Sequence, residues 1–145
     1  MYNVLTGVEN QKRIRDYLVG VFGTVRQLED AAFIGVENEK GEIFSAFCFY
    51  DWYKNGSVTV SFAANEHSGC FGKGGLKFAA TGFRYMFDML KVQKALFYVQ
   101  STNEKSIKIT KNLGCVLEYT IEKAGENGSD LLIFTLTREQ SRIKL

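Results

Sequence analysis

The chain has 145 residues, 46% of them apolar and 23% charged, with a formal charge of +2 and a mean hydropathy near zero. That is the composition of a soluble globular domain; a disordered segment, a membrane span or a basic nucleic-acid-binding surface looks different. A domain of this length buries roughly 68–70% of the surface its unfolded chain exposes, so neither disulfides nor a structural metal are needed to hold it together.

From Asn10 to Phe22 the apolar residues Ile14, Tyr17, Leu18, Val21 and Phe22 recur at helical spacing, with Lys12, Arg13, Arg15 and Asp16 on the other side. Gly23 ends this helix. Ala32 to Glu37 reads as a short strand, Asn38 to Gly41 as a turn, and Glu42 to Trp52 as a strand apolar on both faces, which places it inside a sheet. Asn55-Gly56 predicts a tight type I′ hairpin turn leading into a strand from Ser57 to Ala64. The polar, Gly-rich stretch Asn65 to Gly75 opens directly into a helix whose core stripe runs from Leu76 to Leu90. A strand from Lys94 to Gln100 follows, and the single helical crossover makes it parallel to the strand before that helix. Ser101 and Glu104 have the spacing of a capping box for a third helix, closed by Gly114. Val116 to Glu122 and Leu131 to Thr137 form a final hairpin, and the charged tail from Arg138 is expected in solvent. With no proline, 12 phenylalanines and 7 tyrosines, turns fall to Gly and Asn and the core to aromatic rings. No repeat or linker interrupts the chain, so residues 1–145 read as one domain.

The chemistry concentrates where an antiparallel meander gives way to a parallel pair, because a crevice opens at strand carboxyl ends at such a point. Cys70-Phe71-Gly72-Lys73-Gly74-Gly75-Leu76 lies there, at a helix start. Free helix N-terminal amides, glycines that let a ligand approach the backbone, and Lys73 together suit a pyrophosphate. On its own, a Gly-rich helix start is more often only a flexible loop.

Read with the rest of the chain, the order of elements resembles the GNAT acyltransferase superfamily. Gly72 and Gly74 match the two small positions of that family's Gln/Arg-x-x-Gly-x-Gly/Ala loop, while its basic or amide position falls on Gly69. Asn103, Ser106, Leu113 and Gly114 agree with a second stretch, Asn-x-x-Ala/Ser followed by Tyr-x-Lys-Leu-Gly-Phe. The resemblance implies an α/β (α+β) fold with a mixed, mostly antiparallel twisted sheet, a central parallel pair and flanking helices. It implies acetyl-CoA as cofactor, its pyrophosphate on Phe71, Gly72, Lys73, Gly74 and Gly75. The pantetheine arm would pair with the strand at Phe62 and Ala63, which splays from Tyr98 and Val99, and Asn103 and Ser106 would complete the site.

Amine acetylation needs a base for the amine, a donor for the developing oxyanion and an acid for the thiolate. Glu66 and His67 are the base candidates, with Ser61 placed to orient a water; Tyr98 and Tyr119 are further candidates. The family's tyrosine acid falls on Thr110, a far weaker donor, and its closing Phe on Cys115. Cys70, close to the lone His67, has no third partner and reads as incidental. Trp52, Tyr50 and Tyr53 read as hydrophobic core with polar tips.

Three widely spaced cysteines and one histidine argue for reduced thiols and against zinc, and a start without a basic, apolar leader argues for the cytoplasm. The expected activity is transfer of an acetyl group from acetyl-CoA to a primary amine on a small molecule or protein, by direct attack. Nucleic acid and membrane are not expected partners; the last strand is a candidate pairing edge for a homodimer. The alternative is a GNAT-fold protein without catalysis, a binding or structural component of, for example, a phage. Glu29, Asp30 and Glu126 offer carboxylates on the acceptor side in no convergent pattern.

Overall fold

A computed structural model describes residues 2–22, 30–64 and 75–143. The first helix, α1 (Gln11–Phe22), follows a single 3-10 turn, Val8–Asn10, and buries Ile14 and Leu18 completely. Ahead of it stands a three-residue strand, β1 (Asn3–Leu5), which no periodicity could signal at that length. Strands β2 (Ala32–Glu37), β3 (Ile43–Tyr50) and β4 (Ser57–Ala64) form the expected meander. Helix α2 (Gly75–Arg84) runs on through a π-helical turn, Tyr85–Met89, to strand β5 (Lys94–Gln100). Helix α3 (Glu104–Asn112), β6 (Val116–Ile121) and β7 (Leu131–Leu136) complete the order.

The seven strands among the described residues share one sheet, ordered β1-β2-β3-β4-β5-β7-β6. Every neighbouring pair is antiparallel except β4 and β5, which are parallel as the crossover helix requires. The last strand, β7, lies between β5 and β6, so it is not the pairing edge; β1 and β6 are. The β6–β7 hairpin folds back inward because β7, with Phe134 and Leu136 buried, is the more apolar of the two.

Alternation along the strands gives the sheet two different faces. On one, Phe47, Phe97 and Phe134 pack with Phe78 and Phe83 of α2, and the Phe47 and Phe78 rings stack at 4.4 Å between centroids. On the other, Phe33, Ala46 and Cys48 meet Ile14 and Leu18 of α1. Two features seat α1 there. Gly35 removes the side chain that would press on Ile14, since a Cβ would come within 3.0 Å of it. The Gln11 carboxamide then bonds both backbone groups of Phe33, accepting from its N–H at 2.9 Å and donating to its carbonyl at 3.0 Å.

The structure corrects several local expectations. Between β3 and β4 the connection is longer than a two-residue turn, with Asn55 but not Gly56 in the left-handed region. Helix α3 is capped by Asn103, whose Oδ1 accepts from Ser106 N–H at 3.1 Å; Ser101 instead accepts from Asp130 N–H. Trp52 and Tyr53 are exposed, and the Trp52 indole N–H donates to the Leu90 carbonyl. The tail is not solvated throughout: Ser141 and Ile143 are buried, and Arg142 N–H donates to Leu113 O beside Gly114. Gly114, at φ 104°, has no room for a Cβ against the Gln140 carbonyl.

Candidate functional site

The parallel pair is only four residues long. Its register runs from Ser57 opposite Lys94 to Val60 opposite Phe97 and stops there. Both strands continue, but to other partners: Ser61 to Ala64 stay paired with Cys48 to Ser45 of β3, and Tyr98 to Gln100 with Ile133 to Leu131 of β7. The sheet therefore forks between Phe62 and Tyr98, as the resemblance implied. Main-chain groups of β4 and β5 that would have joined across this gap are left available to an extended ligand.

Three elements converge on the fork. The end of α1 brings Val21 and Phe22, the start of α3 brings Asn103 and Ser106, and the β6–β7 connection brings Glu126. With Ser61, Tyr98 and Gln100 they enclose a cavity of about 390 Å³. A second one, about 190 Å³, adjoins it and is lined by Phe62, Ala63 and Lys105 together with Asn103 and Ser106. Six of the sequence-predicted residues, Ser61, Phe62, Ala63, Tyr98, Asn103 and Ser106, are thus brought around one opening. Glu66, His67, Phe71, Gly72, Lys73 and Gly74 lie outside the described residues; Gly75 is the first residue of α2.

The hydroxyl chemistry at the fork is specific. Ser61 Oγ lies 3.2 Å from the Tyr50 hydroxyl on the neighbouring strand. Burial pushes the Tyr50 phenol above its ordinary range, against a smaller opposing effect of the Ser61 bond, so it stays a neutral hydroxyl at physiological pH. Tyr98 is half-exposed at the lip. Thr110 is placed differently: it is fully buried, its hydroxyl donates to the Ser106 carbonyl at 2.7 Å, and it lines neither cavity. Cys48, buried beneath α1, has its thiol pushed up to about 12 by desolvation, which makes it inert rather than nucleophilic. Among the described residues no three His, Cys, Asp or Glu side chains group to hold a metal.

Sequence reasoning missed Glu126 and Gln100 as partners. The Glu126 N–H donates to Gln100 Oε1 at 2.8 Å, and its carbonyl accepts from the Ser129 hydroxyl at 2.7 Å. The turn that carries this carboxylate is thereby fastened to the end of β5. The only signal for it was Gly125, whose missing side chain lets Gln100 and Ser129 close in.

A sheet forked at a short parallel pair, with a helix packed on each face and a cavity at the split, defines the class: this is the fold of the GNAT N-acetyltransferases. Among solved structures it is similar to ribosomal-protein-S5-alanine acetyltransferase from Vibrio fischeri, with TM-score 0.71, 14% identity and coverage of 99% of this chain and 96% of that one. It is also similar to the dodecameric spermidine N-acetyltransferase from Vibrio cholerae, with TM-score 0.67, 14% identity and coverage of 96% and 94%. No protein-family model and no curated protein sequence matches the chain. The likeness at this identity is one of fold. Among the described residues no helix is long and apolar enough to cross a membrane.

Proposed function

We propose that this protein transfers an acetyl group from acetyl-CoA to a primary amine by direct attack. The observation that carries the reading is the fork itself: two strand edges released after Val60 and Phe97, opening on adjoining cavities. An arm made of amides fits such edges as an added strand does. The donor set agrees, since the cavity wall near α3 has Lys105, Asn103 and Ser106 and no carboxylate among the described residues. In this reading the backbone at Phe62 and Ala63 holds the pantetheine arm, Asn103 and Ser106 lie beside it, and Phe71 to Gly75 with Lys73 take the pyrophosphate. Bound there, acetyl-CoA supplies an activated acyl thioester.

The chain's own groups then manage protons. A protonated amine loses one proton to a base, for which Glu66 and His67, just past β4, are proposed, with Ser61 held by Tyr50 to orient a water. As the new C–N bond forms and the C–S bond breaks, the departing sulfur takes a second proton. Thr110 is not proposed for that step, because its hydroxyl is committed to Ser106; the Tyr98 phenol, at the lip of the fork, takes its place.

The burial of Thr110 also favours a second reading, in which the fold binds a ligand or partner without catalysis. Two measurements separate them. Acetyl-CoA at a hundredfold its Kd adds about 2.7 kcal/mol of stability, a rise in Tm of about 5–10 °C for a chain of this size. Release of free thiol with an amine present then marks an enzyme; a Tm rise without amine-dependent thiol release leaves the binding reading, and no rise removes both coenzyme readings. Gly74→Glu, which puts a side chain and a negative charge into the proposed phosphate loop, abolishes the rise if that loop is assigned correctly.

A further inference from the structure

The far side of the cavity has a character of its own. Helix α1 packs over β2 and β3, and among the described residues no helix packs in the same way on that face of β5, β7 and β6. The register aligns Tyr98 with Ile133 and Ile133 with Tyr119 across those three strands, so they form one row on that face. Tyr98 is 50% and Tyr119 65% exposed. The row spans about 9–10 Å, two strand spacings. At its Tyr98 end it enters the cavity, where the end of α1 adds Val21 and Phe22.

Set against this ledge is Glu126, an exposed residue and the one acidic residue among the described residues that line the larger cavity. Its main chain is fixed on both sides, to Gln100 and to Ser129, so the turn needs no ordering when a cation arrives. The basic residue of the site, Lys105, stands in the adjoining cavity by α3. The opening is therefore polarised, with Lys105 on the α3 side and Glu126 beside Gln100 at the end of β5.

We infer that the acceptor is a primary amine with one positive charge carried on an apolar or aromatic body. Glu126 is the specificity residue that holds the ammonium group, and the Tyr98–Ile133–Tyr119 row receives the body. This rests on the acetyl-transfer reading above and deepens it. A polyamine fits less well, because among the described residues lining the cavity no second carboxylate stands to pair with its additional ammonium groups. A small polar amine would leave the ledge in water and gain only the contact with Glu126.

The test compares phenethylamine, ethanolamine and spermidine as acceptors, followed by thiol release at saturating acetyl-CoA. Phenethylamine is expected to exceed ethanolamine in kcat/KM by about thirtyfold or more, the size of effect that burying a phenyl ring gives. Glu126→Gln raises KM for phenethylamine about tenfold, as loss of a charge-assisted bond does, and leaves the Tm rise from acetyl-CoA unchanged. Tyr119→Ser, at an exposed position, raises KM for phenethylamine and not for ethanolamine. Spermidine preferred over phenethylamine, or an unchanged KM in Glu126→Gln, overturns the inference while acetyl transfer stands. Absence of any Tm rise with acetyl-CoA overturns both.

Discussion

Gly125 gives a sharp test of how the cavity is built. A Cβ placed on it would lie 2.6 Å from Gln100 Oε1, 2.6 Å from Ser129 Oγ and 2.7 Å from the Asp130 carbonyl oxygen. Ordinary carbon contacts begin near 3.5 Å, so in Gly125→Ala each oxygen must retreat by about 0.8–0.9 Å. All three are engaged: Gln100 Oε1 with Glu126 N–H, Ser129 Oγ with the Glu126 carbonyl, and Asp130 O with Ser101 N–H at 3.0 Å. Overpacking costs about 1–3 kcal/mol and the loss of one of these bonds about 1 kcal/mol more, giving about 2–4 kcal/mol in all. For a chain of this size that lowers Tm by about 5–12 °C. The comparison variant is Gly128→Ala in the same turn. Gly128 has φ 77° and nothing within 4 Å of the added Cβ, so only left-handed backbone strain of about 1 kcal/mol applies. Thermal melts of both variants, with and without acetyl-CoA, check the argument. Gly125→Ala should fall well below Gly128→Ala and lose amine affinity while keeping its response to coenzyme. Equal melting temperatures would refute the claim that this turn is wedged against β5.

Other perturbations reach different parts of the molecule. Phe47→Ala removes a ring only 1% exposed and stacked on Phe78, and should cost about 3–5 kcal/mol in a denaturant titration. Asn103→Ala removes the cap of α3 and about 1 kcal/mol, whereas Asn103→Asp, which keeps an acceptor for Ser106 N–H, restores it; chemical denaturation of the pair reads the difference. The Arg13 guanidinium, with Asn3, holds the Glu37 carboxyl below its ordinary range. Because the folded pKa is the lower one, this stabilisation is complete above the unfolded value of about 4.3 and is lost as pH falls through the folded one. Arg13→Met should therefore lose stability near neutral pH and show a flatter acid limb than the parent in Tm measured against pH.

The architecture was readable because the strongest patterns were long. The helical stripe from Ile14 to Phe22, the two-faced apolar strand through Phe47 and the crossover between Ala64 and Lys94 together fix a sheet with one parallel pair. Short or tertiary features were not readable. Three residues of β1 carry no period, and the exchange of Ser101 for Asn103 as cap depends on Asp130 claiming the serine from across the molecule. The burial of Ile143 depends on the tail reaching Leu113, which charge composition alone argues against. At the site, residues close to the fork in sequence, Ser61 to Ala63, were found through strand position and resemblance. Glu126 was legible only as one of several acceptor-side carboxylates without a convergent pattern, since the bond that fastens its turn runs to a residue 26 positions away.

The four-residue parallel ladder has a mechanical consequence. Among the described residues it is the only strand pairing that joins the β1–β4 half of the sheet to the β5–β7 half, so the two halves resemble covers hinged along a short spine. An extended ligand in the gap would lengthen that spine by bonding to both covers. Backbone amides of β4 and β5 beyond Val60 and Phe97 should then exchange with deuterium more slowly, and stiffening would spread outward through the neighbouring β3 and β7.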